Sequence, residues 1–498
     1  MAMPVMQNKT SKFQRKWLIL ASVAMGIFLS TIDGSIVNIA LPSLVADLKT
    51  DFATVQWVVL AYLLINVTLM LGVGRLADMI GKKYLYSIGF VVFTIGSVLC
   101  GLSSTIFMLI TCRVFQAFGA VLMAALGTAI VTEAFPPEER GKALGINGLM
   151  VSLGIISGPT FGGLILGALS WHWIFFVNLP IGIIGIFMVT RFVPNSRPPG
   201  GQRFDFLGAA TLFIGLLLLL VGLTIGQNSS FADLIVLGLF AGSLVFLAGF
   251  VLIELRIEQP MIDLRLFQNA LFSVNLVTGF LTFVAGSGSA LLMPFFLEGV
   301  LGYDPVKTGL TLAVIPLATG IVAPLAGSLS DRFGSRPLTV VGLAILFSGY
   351  IAVSTLDQTV TQLGYILRFL PVGIGIGFFQ SPNNSAIMGA APRARLGVAS
   401  GLLAITRTLG QTTGIAVIGA LWASQVSLRA GGAAIRMTLE TTSSTTATVN
   451  APAAAQVGGL HVTLLTLVGV ICFALLFSLW AFWTERVKRR TVANVPAE

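Results

Sequence analysis

Fourteen apolar runs, each long enough to cross a bilayer, leave few folds open to this sequence. They fall at about 17 to 41, 53 to 75, 84 to 103, 107 to 133, 142 to 168, 173 to 193, 206 to 226, 232 to 254, 271 to 297, 308 to 330, 337 to 356, 361 to 389, 397 to 424 and 461 to 484. About 20 apolar residues suffice for a helix to span the hydrocarbon core. Composition agrees: of 498 residues only 10% are charged, while 56% are hydrophobic. A water-soluble chain carries about 25% charged residues, and a disordered one lacks this much apolar surface. The expected fold is an all-α polytopic membrane protein, its backbone polar groups satisfied within helices.

A net charge of +10 raises the question of nucleic acid, and the placement of the charge answers it. Basic residues crowd alternate connections, as at Arg75, Lys82 and Lys83, at Arg140 and Lys142, and at Arg393 and Arg395, and they crowd both terminal segments. Only Lys49, Lys307, Arg429 and Arg436 fall on the other side. This positive-inside bias predicts 14 spans with both termini cytoplasmic, and it makes the lipid bilayer, not nucleic acid, the partner. The seven Trp fall at predicted span ends, where interfacial rings are expected. Cys100, Cys112 and Cys472 lie in or beside spans and imply no disulfide framework.

Internal repetition divides the chain. Gly74-Arg-Leu-Ala-Asp78-Met-Ile-Gly81-Lys82-Lys83 recurs as Gly327-Ser-Leu-Ser-Asp331-Arg332-Phe-Gly334-Ser-Arg336. At nearly the same offset Arg113 answers to Arg368, Arg140 to Arg395, and Gly154 and Gly158 to Gly410 and Gly414; Asp33 then falls opposite Ser287. The expected organisation is a cytoplasmic tail at 1–16, a six-helix half at 17–193, a linker with inserted helices 7 and 8 at 194–270, a second six-helix half at 271–484 with an outer loop at 425–460, and a tail at 485–498. Parallel repeats of this kind build transporters, with the substrate cavity between the halves near the midplane.

Each motif has a physical reading. The glycines of the duplicated loop permit a tight turn, and Asp78 can cap a helix N-terminus or pair with Lys82 or Lys83. In span 5, Gly154, Gly158, Gly162 and Gly163 form a face smooth enough for another helix to approach. Pro159 permits a kink, expected in the first half only because Ile415 stands at the equivalent position. Asp33 precedes Pro42 in span 1 and lies roughly 13 Å from its outer end. A carboxylate at that depth is costly unless it is paired, hydrated or protonated. Arg113 lies at similar depth in span 4, so the two are expected to approach. Arg368 either shares that work or reaches the outer interface. Arg407 either faces the cavity or donates to backbone carbonyls. With no phosphate-cradling Gly-x-x-x-x-Gly-Lys-Ser/Thr stretch, two His and three scattered Cys, the chain offers no enzyme centre, metal site or cofactor site; a proton gradient is the expected energy source.

Taken in order, these stretches resemble the major facilitator superfamily, and the fourteen-span plan resembles its drug:proton antiporter family 2, of the EmrB/QacA type. The resemblance rests on the duplicated loop, on Ile32-Asp33-Gly-Ser-Ile-Val-Asn38-Ile-Ala-Leu-Pro42, on Arg113-Val-Phe-Gln116, on the stretch from Gly154 to Gly163, and on Trp171-His172-Trp-Ile-Phe-Phe-Val-Asn178-Leu-Pro180. It implies a monomeric, proton-coupled exporter of lipophilic, often cationic compounds, working by alternating access in a prokaryotic cell membrane. The candidate coupling residues are Asp33, Arg113 and Arg407, and the candidate cavity residues are Asp33, Asn38, Gln116 and Arg368. Gly74, Asp78, Gly81, Lys82, Lys83, Gly327, Asp331, Arg332, Gly334 and Arg336 form the candidate conformational latch. Gly154, Gly158, Pro159, Gly162 and Gly163 form the antiporter motif. The sequence departs from the family pattern at Met79, where a base is common, at Ala117, where Gly is common, and at His172, where Arg is common. A proton-coupled carrier of one metabolite or nutrient is the alternative, and the sequence does not specify any accessory export protein.

Overall fold

An apolar run in lipid must satisfy its own backbone, so each becomes a helix. The computed structural model describes residues 4–50, 52–195, 204–228, 231–257, 260, 262, 264–303, 305–429 and 453–493, and among these there are helices and turns but no strand. The first six helices are α1 (Pro4–Asp47), α2 (Phe52–Ile80), α3 (Lys82–Gly101), α4 (Ile106–Ala134), α5 (Arg140–Ala168) and α6 (Asn178–Phe192), the last preceded by a short turn at Trp173–Phe176. Two helices follow, α7 (Phe206–Asn228) and α8 (Leu234–Glu254). The second set is α9 (Ala270–Pro294), α10 (Val314–Phe333), α11 (Ser335–Val353), α12 (Gln362–Ala390), α13 and α14 (Ala453–Ala493). Helix α13 comes in three parts, Leu396–Thr413, a π-helical turn at Gly414–Ile418, and Gly419–Arg429. Thirteen of the described helical segments are long and apolar enough to cross a membrane, and the interrupted α13 is the run that falls short.

Helix α1 begins at Pro4 and α14 runs on to Ala493, so both helices continue beyond the apolar spans found at Arg15–Val37 and Ala453–Trp483. Both margins of the expected loop at 425–460 are helical, and its middle, 430–452, lies outside the described residues. Trp171, between the end of α5 and the short turn at Trp173–Phe176, is 2% exposed and stacks on His172.

The chain forms two compact units. The first holds Met1–Leu217, Phe246–Leu264 and Met388–Ile405; the second holds Leu218–Val245, Arg265–Ile387 and Thr406–Glu498. In the first, glycines bring helices together. A Cβ on Gly96 of α3 would lie 2.6 Å from Gln116 Cα of α4, and one on Gly154 of α5 would lie 2.7 Å from Thr31 Cβ of α1. A Cβ on Gly158 would collide with Ser35 Oγ, whose hydroxyl donates to the Gly154 carbonyl at 3.0 Å. Small residues at such contacts let backbones approach and gain packing that lipid does not supply.

The second unit repeats the device. Gly410 and Gly414 of α13 pack on the Phe280 and Val284 carbonyls of α9, and Ser287 Oγ donates to Gln411 O at 3.0 Å. Ser287 thus plays the part of Ser35, which moves the repeat alignment by two residues. The residue opposite Asp33 is the buried Ala285, not Ser287.

Helix α5 is α-helical through position 159, whose side chain lies outside the described residues, and the other repeat has an irregular π-helical turn at Gly414–Ile418 that is not expected from sequence. There Ser287 occupies the Gln411 carbonyl, and insertion of a side chain into the helical ladder is a known cause of such distortion. Gly162 is buried, but Gly163 is exposed with no atom within 4 Å of a Cβ placed there, so the packed face is narrower than four glycines.

Candidate functional site

The centre of the first unit encloses a buried ionic network. Asp33 on α1 is 0% exposed and Arg113 on α4 is 1% exposed. Arg113 Nη1 donates to Asp33 Oδ2 at 2.7 Å and to Gln116 Oε1 at 2.7 Å, while its Nε donates to the Val58 carbonyl of α2 at 3.2 Å. The other carboxylate oxygen, Asp33 Oδ1, accepts from Gln116 Nε2 at 3.0 Å and from Asn178 Nδ2, the first residue of α6, at 2.8 Å. Ser97 Oγ on α3 accepts from Gln116 at 2.7 Å and from Asn178 at 3.3 Å. Tyr62 of α2 lies under the guanidinium, 4.2 Å from its carbon to the ring centroid.

Removing two charges from water costs several kcal/mol per ion, and only good geometry with further hydrogen bonds offsets it. Here the carboxylate has three donors, and the guanidinium has two acceptor side chains, a carbonyl and an aromatic face. The α3–α4 approach at Gly96 is what places Gln116 within reach of Ser97. Asp33 is the one acid in this cluster, and its carboxylate joins α1 to Arg113 and Gln116 of α4 and to Asn178 of α6.

The duplicated loop organises a second site in the same unit. Asp78, near the end of α2, accepts from the backbone N–H groups of Gly397 at 3.0 Å and Val398 at 3.1 Å. It thereby caps the N-terminus of α13, where unpaired amides and the helix dipole favour a carboxylate. Lys82 Nζ lies 3.3 Å from Asp78 and 3.4 Å from Glu133. A Cβ on Gly74 would lie 2.5 Å from the Gly397 carbonyl, so the helix crossing requires glycine there. Lys83 is not part of this cap and donates to Thr190 O at 2.7 Å. Gly81 turns the chain into α3 with φ 115°, and Gly334 does the same before α11 with φ 85°. In the second copy Gly327 is buried, Asp331 and Arg336 are half-buried, and Arg332 is exposed.

Arg368, in the second unit, donates to Thr355 Oγ1 and the Gly364 carbonyl, each at 3.1 Å. Arg407 is half-buried, and among the described residues neither a hydrogen bond nor an ion pair of its side chain is seen, so the alternative of donation to backbone carbonyls finds no support there. Asn38 lies on α1, but its side chain is outside the described residues. Ser97, Tyr62 and Asn178 were not singled out from sequence. Asn178 alone had a signal, its place in the Trp171–Pro180 stretch.

Comparison with known proteins places this geometry. Residues 23–415 match the family model described as Major Facilitator Superfamily. The chain is 36% identical over 415 residues to the riboflavin transporter RibZ of Clostridioides difficile (strain 630), covering 83% of this chain and 90% of that one. It is 33% identical to the multidrug resistance protein Stp of Mycobacterium tuberculosis (strain CDC 1551 / Oshkosh), covering 82% and 76%. Among solved structures it resembles the human organic anion transporter MFSD10 (TETRAN) with a TM-score of 0.64 at 14% identity, covering 93% and 99%. The chain is a multi-pass membrane transporter and belongs to the Major Facilitator Superfamily.

Proposed function

We propose that this transporter is a fourteen-span drug:proton antiporter of the EmrB/QacA type, which exports lipophilic, often cationic compounds by alternating access. The observation that carries the reading is Asp33, an acid buried among Arg113, Gln116 and Asn178 with no acid at the equivalent Ala285. Protonation of Asp33 removes the charge that Arg113 is drawn to and releases α1 from α4. The names of Stp and of the multidrug transporter MdtP support export of drugs. On this reading both termini are cytoplasmic, the membrane is a prokaryotic cell membrane, the monomer works without cofactor or nucleic acid, and Asp78 stabilises one access state. Asp33 and Arg113 are the coupling pair on this reading, and Arg407 is a further candidate coupling residue. One proton exchanged for one monovalent cation moves no net charge. Each pH unit then supplies about 1.4 kcal/mol, enough for a tenfold substrate gradient.

The similarity to RibZ favours a second reading, a carrier for one metabolite. Efflux of several lipophilic cationic dyes and of riboflavin from cells expressing the chain, with and without a proton gradient, separates the two. Gradient-dependent efflux of several dyes, lost in Asp33→Asn, supports the antiporter. Efflux of riboflavin alone rejects it in favour of the specific carrier.

A further inference from the structure

We propose that Asn178 is the switch of the buried network: its side-chain amide turns over when Asp33 takes up a proton, donating to the carboxylate in one state and accepting from the carboxylic acid in the other. The inference rests on the reading of Asp33 as proton carrier. Asn178 is fully buried and donates through Nδ2 to Asp33 Oδ1 at 2.8 Å and to Ser97 Oγ at 3.3 Å, yet its own Oδ1 is buried with no hydrogen-bond partner. An acceptor left unpaired inside a protein carries a desolvation penalty, and a native structure that keeps one has a use for it. Here the orphan belongs to a group touching the acid itself.

A proton on Asp33 needs an acceptor, and as arranged the carboxylate meets only donors. Oδ2 faces Arg113, whose guanidinium accepts nothing. Oδ1 faces the two amide nitrogens. An acceptor appears only if an amide turns over. Gln116 is committed at both ends, since Oε1 accepts from Arg113 at 2.7 Å while Nε2 donates to Asp33 and to Ser97; turning it would set two nitrogen donors, its own and the guanidinium's, face to face. Turning Asn178 replaces its Nδ2 by the unpaired Oδ1 at Asp33 Oδ1, so the N–H bond to the carboxylate is exchanged for one from the carboxylic acid, and the longer N–H bond to Ser97 is given up. The Ser97 hydroxyl then rotates to donate to the oxygen that has arrived.

The step balances: one O–H bond forms at Asp33 Oδ1, one N–H to carboxylate hydrogen bond breaks, and no other proton moves. Besides Arg113, the ionisable groups facing Asp33 among the described residues are Tyr62 on α2 and Cys100 on α3. Neither hydrogen-bonds to the carboxylate.

The test is pH-difference infrared spectroscopy of the full chain in lipid vesicles, unlabelled and with isotope-labelled asparagine. The expected acid-minus-alkaline spectrum holds a carboxylic acid band absent from Asp33→Asn. It also holds an isotope-sensitive asparagine side-chain band that titrates with the same midpoint and vanishes in both Asp33→Asn and Asn178→Ser. An Asp33 band with no titrating asparagine band overturns the switch and leaves Asp33 as the proton carrier. Absence of an Asp33 band from pH 4 to pH 10 overturns both. If Asn178→Ser does not fold, the isotope comparison of the native chain with Asp33→Asn decides alone.

Discussion

In the first repeat, Arg113 of α4 turns inward to Asp33; in the second, Arg368 of α12 turns away to Thr355 and the Gly364 carbonyl. The scaffolds around the two arginines are alike. Gly96 of α3 packs on Gln116 of α4, and Gly349 of α11 packs on Val372 of α12. Ser35 and Ser287 each donate to the helix carrying the paired glycines. What differs is the content: a carboxylate on α1 where α9 has Ala285, and an amide on α4 where α12 has an apolar residue. Burying an arginine is costly, and at Arg113 an anion offsets that desolvation. The duplicated architecture therefore supplies the frame twice and the chemistry once.

The comparison breaks most sharply at the arginines. Arg113→Met leaves Asp33 buried without a cation and is expected to cost about 3–5 kcal/mol. Arg368→Met removes a hydrogen-bonded side chain at an exposed site and is expected to cost no more than about 1 kcal/mol. Thermal unfolding of the two purified variants checks this, and equal losses would show that the buried network is not special. Next in size is the helix contact at the antiporter motif. Gly158→Ala forces a methyl group onto Ser35 Oγ and is expected to cost about 1–3 kcal/mol, while Gly163→Ala, facing open space, stays within about 0.5 kcal/mol. Adding Ser35→Ala to Gly158→Ala is expected to restore part of the loss. The smallest effect concerns the two copies of the latch loop. Asp78→Ala uncaps α13 and is expected to cost about 0.5–2 kcal/mol, seen as faster hydrogen exchange at the Gly397 and Val398 amides. Asp331→Ala should leave those two amides unchanged; faster exchange there would remove the distinction between the copies.

Much of this was legible in the chain. The apolar runs, the duplicated loop and the depth of Asp33 and Arg113 follow from lengths and spacings. Their meeting could be anticipated because both charges were expensive and little else could compensate them. Other features depend on how helices cross. The sequence does not reveal that the carboxylate of Asp78 reaches across to Gly397, because that contact joins residues far apart in the chain through two glycine backbones. Nor does it reveal that the turn at Trp173–Phe176 delivers Asn178 to the acid. Repeat alignment by motif offset placed Ser287 opposite Asp33, and only the matched hydroxyl contacts of Ser35 and Ser287 correct it. Nor does the sequence reveal that Trp171, at a span end, is buried in a core cluster with Ile36, Val37 and Ala40 of α1.

Proton release on substrate binding tests the central claim most directly. The purified chain is placed in weakly buffered solution with a pH-sensitive dye, and a lipophilic cation, the substrate class of the proposed function, is added. The account predicts release of up to one proton per bound cation from the native protein and none from Asp33→Asn. Equal release from both would contradict it.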